Sequence, residues 1–122
     1  MRAYKLGILV AATALTIVAC ASAPRYTDKP YTRYDKNTEY VISDESDGFT
    51  VFVYYSVHQY YPNENAVQQV ARQNVMAIAY EYADRNKKEI QPINEQRIKI
   101  SSARNGLLGR TTASASLRIF YK

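Results

Sequence analysis

Residues 49–61 read Phe-Thr-Val-Phe-Val-Tyr-Tyr-Ser-Val-His-Gln-Tyr-Tyr, and Pro62 stops the run. Apolar and mixed positions alternate with a period of two, the spacing of a strand whose side chains point to opposite faces of a sheet. Phe49, Val51, Val53, Tyr55 and Val57 make the more apolar set and are the expected core face. Thr50, Phe52, Tyr54, Ser56, His58 and Tyr60 fall on the other face. Upstream, Tyr40-Val41-Ile42 is a short β-like run, and Asp44 to Gly48 is a cluster of turn formers in which Gly48 is free to take a positive φ. The two runs predict a hairpin.

Downstream the period changes. Asn63 or Asn65 can cap a helix, and Asn65 with Gln68 matches a capping box. From Ala66 to about Lys87 the apolar positions Val67, Ala71, Val75, Ile78 and Tyr82 fall on one helical stripe, widened by Val70, Ala77 and Ala79. Residues 89–96, with Pro92, form a connector. Arg97 to Ser101 alternates as a strand, and Asn105-Gly106 with Gly109 marks a turn. From Thr111 to Tyr121, Ala113, Ala115, Leu117 and Ile119 oppose Thr112, Ser114, Ser116, Arg118 and Phe120. The small Ala113 and Ala115 would let the helix lie close. The expected fold is a two-layer α+β domain over residues 39–122, in the order β-β-α-β-β, with an antiparallel-type sheet and one helix packed on one face.

Composition narrows the functional classes. At 47% hydrophobic and 22% charged, the chain is too apolar to stay disordered. The net charge is +5; without Arg2 and Lys5 the basic count falls from 16 to 14 against 11 acids, leaving +3. That excess is scattered and forms no basic stripe, so no nucleic-acid partner is expected. The single cysteine allows neither an internal disulfide nor a multi-cysteine zinc site. Asp44, Glu45 and Asp47 lack the rest of a calcium-loop pattern and read as an acidic turn. No cofactor is expected.

The N-terminus has its own pattern. Arg2 and Lys5 precede Leu6 to Ala19, an uncharged apolar run that stops at Cys20 and is followed by the small residues Ala21 to Ala23. Fourteen residues suit a secretory leader and are short of the roughly 20 that span a bilayer. Ile17-Val18-Ala19-Cys20 resembles the lipobox of bacterial lipoproteins, with Ile17 in place of the commoner Leu. The resemblance covers only the first twenty or so residues. It implies a signal peptide over 1–19 and a thioether-linked diacylglycerol on Cys20, with Cys20 becoming the first residue after cleavage. It also implies a partner, the lipid bilayer, held through the acylated Cys20. Ala21, rather than Asp, implies the outer membrane with the domain facing the periplasm. Residues 20–38, with two prolines and many charges, are then expected to form a flexible tether; Tyr26, Tyr31 and Tyr34 leave open a docked segment instead.

The sequence points to no catalytic constellation. His58 lies mid-strand with no carboxylate two residues away, so a small periplasmic enzyme using it as base is the alternative reading. The main expectation is a non-enzymatic binding or scaffold module for an envelope protein or polysaccharide, using Phe52, Tyr54, His58, Tyr60, Arg118 and Phe120 on the second sheet face. Self-association through that face is a third reading. Leu107 and Leu108, at the last hairpin tip, are expected to fold back on the core edge rather than meet a partner or a membrane.

Overall fold

The structure is a computed structural model that describes residues 21–122. The expected leader over 1–19 and the lipidation site Cys20 lie outside the described residues. The elements are β1 (Thr32–Asp35), β2 (Thr38–Glu45), β3 (Gly48–His58), α1 (Glu64–Arg85), a 3-10 turn (Glu95–Arg97), β4 (Lys99–Asn105) and β5 (Arg110–Phe120). They form a five-stranded antiparallel sheet in the order β1-β2-β3-β5-β4, with the helix on one face. The fold is α+β, as the alternation and the single helical stripe require.

The core lies between α1 and the face that the sequence marks as apolar. Phe49, Val51 and Val53 of β3 and Ala113, Ala115, Leu117 and Ile119 of β5 are buried against Val67, Ala71, Val75, Ile78 and Ala79 of α1. Each fully buried Val, Ile, Leu or Phe contributes roughly 1.5–3 kcal/mol of transfer free energy. Ala113 and Ala115 are fully buried and give the helix its close approach, since a larger side chain there would hold the layers apart. Tyr82, on the last turns of α1, packs edge-on to Phe49 at 4.8 Å between ring centres and donates its hydroxyl proton to Asp44.

Several local expectations change. The capping residue is Asn63, whose side chain accepts from the Ala66 N–H at 3.0 Å. Gln68, expected in a capping box with Asn65, donates instead to Ser102 Oγ at 2.7 Å. Gly48 does not take a positive φ; it has no side chain because the backbone of Ile119 occupies the place where a Cβ would sit. Gly109 is the glycine with positive φ, at +66°. Leu107 and Leu108 do not fold back: they are 76% and 64% exposed on a tip held by Asn105 Oδ1, which accepts from both of their N–H groups.

The largest departure lies in the segment expected as a tether. Thr32–Asp35 is a fifth strand, the sheet edge, with Thr32 opposite Tyr40 and Asp35 opposite Thr38. The residues before it are laid across the second face of the sheet. A solvated tether over 20–38 therefore does not describe residues 21–38.

Candidate functional site: the second sheet face

The second face is a trough before it is anything else. Thr112, Ser114 and Ser116 of β5 and Ser101 of β4 project from it, and in the register Ser114 stands opposite both Tyr54 and Ser101. This row of small hydroxyls leaves a channel between the larger side chains of the neighbouring strands. The N-terminal segment fills it. The Ala23 N–H donates to Thr112 Oγ1 at 2.8 Å, and Ser114 Oγ donates to the Pro24 carbonyl. The Tyr26 hydroxyl bonds Ser101 Oγ, and Lys99 Nζ lies 4.5 Å from the centre of the Tyr26 ring. Farther on, Lys29 Nζ donates to Ser43 Oγ at 2.8 Å. The segment thus crosses the sheet from β4 and β5 to β2 before turning into β1. Ala23 is 5% exposed and Ser114 1%, so the contact is closed to water at that point.

Arg25 is the centre of this crossing. Its guanidinium lies 3.9 Å from the Tyr54 ring centre and 4.6 Å from that of Tyr31, and Nη1 contacts Glu39 Oε2 at 3.2 Å. Stacking of this kind is worth about 0.5–1 kcal/mol at exposed sites. Burial pushes the Tyr31 hydroxyl above its ordinary value, against the pull of Arg25. Tyr34, on β1, is raised by the hydrogen bond it donates to Glu81 Oε1 at 2.9 Å, which ties the edge strand to α1.

The six residues expected to share a binding surface are separated into three places. Tyr54 sits under Arg25 at the middle. His58 and Tyr60 are at one end, with ring centres 5.1 Å apart and His58 packed against the Cα of Gly109, where an added Cβ would stand 2.9 Å from Nε2. Phe52 follows Tyr54 on that face, opposite Ser116, and Arg118 and Phe120 are at the other end. There Arg118 stacks on Phe120 at 4.7 Å and bonds Glu45 at 3.1 Å and Asp47 more closely still. A shallow groove beside this pair runs between the α1–β4 connector and the last residues of β5, where Ile93, Arg97, Arg118 and Phe120 line it. The connector is fixed there by the Gln91 N–H, which donates to the Phe120 carbonyl at 2.8 Å.

The His58 ring has an aromatic and a glycine for neighbours, and no hydrogen bond or ion pair to its side chain occurs among the described residues. Among the described residues there is no group of three or more His, Cys, Asp or Glu that could hold a metal ion. No helix among them is long and apolar enough to cross a membrane. Sequence reasoning missed Arg25, Pro24 and Ala23 as partners of the face; the signal that could have found them is the hydroxyl row Thr112, Ser114, Ser116, too small to close a sheet surface alone. Comparisons with protein-family profiles, with curated proteins and with solved structures find no match to this chain.

Proposed function

We propose that the protein is a non-enzymatic lipoprotein of the bacterial cell envelope, anchored by acyl chains on Cys20 in the outer membrane and facing the periplasm. The observation that carries the reading is the sequence Arg2 to Cys20: a basic start at Arg2 and Lys5, an apolar run of fourteen from Leu6 to Ala19 and an abrupt end at Ile17-Val18-Ala19-Cys20. Two or three acyl chains make such an attachment stable where one does not. A lone thiol in an oxidising compartment is reactive, and thioether formation removes it.

Its work there is to bind or scaffold an envelope protein or polysaccharide. Support comes from the end of the second face at Arg118 and Phe120, which line the connector groove. An arginine held in orientation by two carboxylates and stacked on an aromatic ring is a preorganised contact surface. The surroundings of His58 supply no carboxylate to orient it as a base, so the binding reading is preferred over the catalytic one.

Growth of the source cells with an alkyne-bearing fatty acid tests the anchor. The native chain is expected to take up the label and a Cys20→Ser variant to take up none; an unlabelled native chain overturns the proposal. In-cell crosslinking from the groove tests the binding half. Arg118→Ala is expected to lose the crosslinked partner with the fold intact, and an unchanged crosslink pattern counts against it.

A further inference from the structure

Residue 21 and the most exposed apolar side chains lie at the same end of the domain. Ala23 bonds Thr112 and Pro24 bonds Ser114, so the segment runs alongside β5 in the direction of that strand. Followed backwards, it leads towards Arg110 and the β4–β5 tip. Thr112 is only two residues from Arg110, about 7 Å along a strand. Cys20 is three residues from Ala23, and three residues reach at most about 11 Å. The backbone of Cys20 is therefore within that chain length of a buried point near this end, and any group on its sulfur starts from there.

The end itself is unlike the rest of the surface. Leu107 and Leu108 at the β4–β5 tip are 76% and 64% exposed, and Tyr60 and Tyr61, just past β3, are 87% and 90% exposed. The two loops are neighbours: His58 pairs with Arg110, and the Gln59 N–H donates to the Gly109 carbonyl at 2.9 Å. Among the described residues the other exposed large apolar side chains are only Tyr34 and Tyr80, on β1 and α1. The β1–β2 turn reaches the same end, since the Ser56 N–H donates to the Asn37 carbonyl. With β1 it adds Arg33 and Lys36 beside Arg110, around a polar groove that also contains Asp35 and Glu39.

We propose that this end, with Leu107, Leu108, Tyr60 and Tyr61, is a membrane-contact surface that rests in the headgroup region of the bilayer holding the acylated Cys20. The inference depends on the lipoprotein reading and goes beyond it, because a long free tether would allow any face to meet any partner. The leash of three residues does not. Leucines at a loop tip bury apolar surface at the acyl boundary, tyrosines are suited to the headgroup level, and arginine and lysine meet lipid phosphates. The opposite end, with Arg118 and Phe120, then points away from the bilayer into the periplasm.

The test uses the full chain purified from membranes and reconstituted in vesicles of phosphatidylethanolamine and phosphatidylglycerol that contain nitroxide-labelled acyl chains. An environment-sensitive fluorophore is placed at Leu108→Cys and, for comparison, at Ser46→Cys in the β2–β3 turn. Quenching at 108 is expected to exceed that at 46 by at least about twofold, as a loop sunk into the interface requires. With Leu107→Ser and Leu108→Ser together, a fluorophore at Tyr61→Cys is expected to lose about half of its quenching or more, which excludes insertion driven by the label alone. Equal quenching at 108 and 46, on a chain whose intact mass includes the acyl groups, overturns the inference alone. A mass without them overturns the lipoprotein reading and the inference with it.

Discussion

The Ala23 N–H donates to Thr112 Oγ1 across 89 residues of sequence, at 2.8 Å and out of contact with water. This bond fixes the start of the described chain to β5. Thr112→Val keeps the shape and removes the acceptor, leaving a buried N–H without a partner, at a cost of about 1–3 kcal/mol. Amide exchange of residues 21–26 is expected to quicken by about tenfold, equivalent to about 1.4 kcal/mol, with the core strands unchanged. Unaltered exchange in that segment would show that the bond does not hold it.

Gly48 is constrained by packing rather than by φ. A Cβ there would collide with the Ile119 carbonyl, which is backbone in a paired strand and cannot move aside without breaking the ladder. Gly48→Ala is expected to destabilise the domain by about 2 kcal/mol or more, seen as a lower urea midpoint with an unchanged slope. A midpoint equal to that of the native chain contradicts the close approach.

Ala115 is fully buried on the face under α1, opposite Val53 on one side and Ile100 on the other. Ala115→Leu adds volume that the two layers can accept only by separating, at a cost of about 1–3 kcal/mol. Thermal unfolding reads the loss as a lower Tm. A gain in Tm would mean that the helix does not sit closely on β5.

The Tyr82 hydroxyl is pushed up to about 12, chiefly by the hydrogen bond it donates to Asp44 and secondarily by burial. A phenol whose folded pKa lies above its unfolded value near 10 binds its proton more tightly in the native state. Its contribution to stability is therefore fully present below pH 10 and is lost as pH rises from there through about 12. Tyr31, Tyr34 and Tyr55 shift in the same direction and add to the trend. Absorbance titration of the phenolates is expected to show a late phase that Tyr82→Phe removes; an unchanged titration would contradict the Asp44 bond.

The parts of the fold that bury apolar side chains were legible because burial imposes a period. Phe49 to Val57, Val67 to Tyr82 and Ala113 to Ile119 each repeat at the spacing of their element, and each packs on the face the spacing predicts. The edge strand β1 was not legible. All four of its residues are exposed, it is held through its backbone and the Tyr34–Glu81 bond, and polar Thr-Arg-Tyr-Asp carries no alternation. Docking of Ala23 to Lys29 was hidden for a related reason: its contacts are backbone groups, hydroxyls and cations laid on rings or paired with a carboxylate, which leave no hydrophobic periodicity.

The candidate site was legible as residues but not as a place. Alternation put Phe52, Tyr54, His58, Arg118 and Phe120 on one face correctly, yet a face more than thirty ångströms long, from strands of eleven residues at about 3.4 Å each, has separate ends. What divides it is Arg25, whose stacking on Tyr54 depends on a segment distant in sequence from both strands.

The measurement that bears most directly on the proposed lipid anchor is the intact and tandem mass spectrum of the N-terminus of native material taken from membranes. The expected result is a chain beginning at Cys20 with a diacylglyceryl group on its sulfur, commonly with a further acyl group on its new amino terminus. A chain that retains Met1 to Ala19, or one that begins beyond Cys20 with no added hydrocarbon mass, would contradict it.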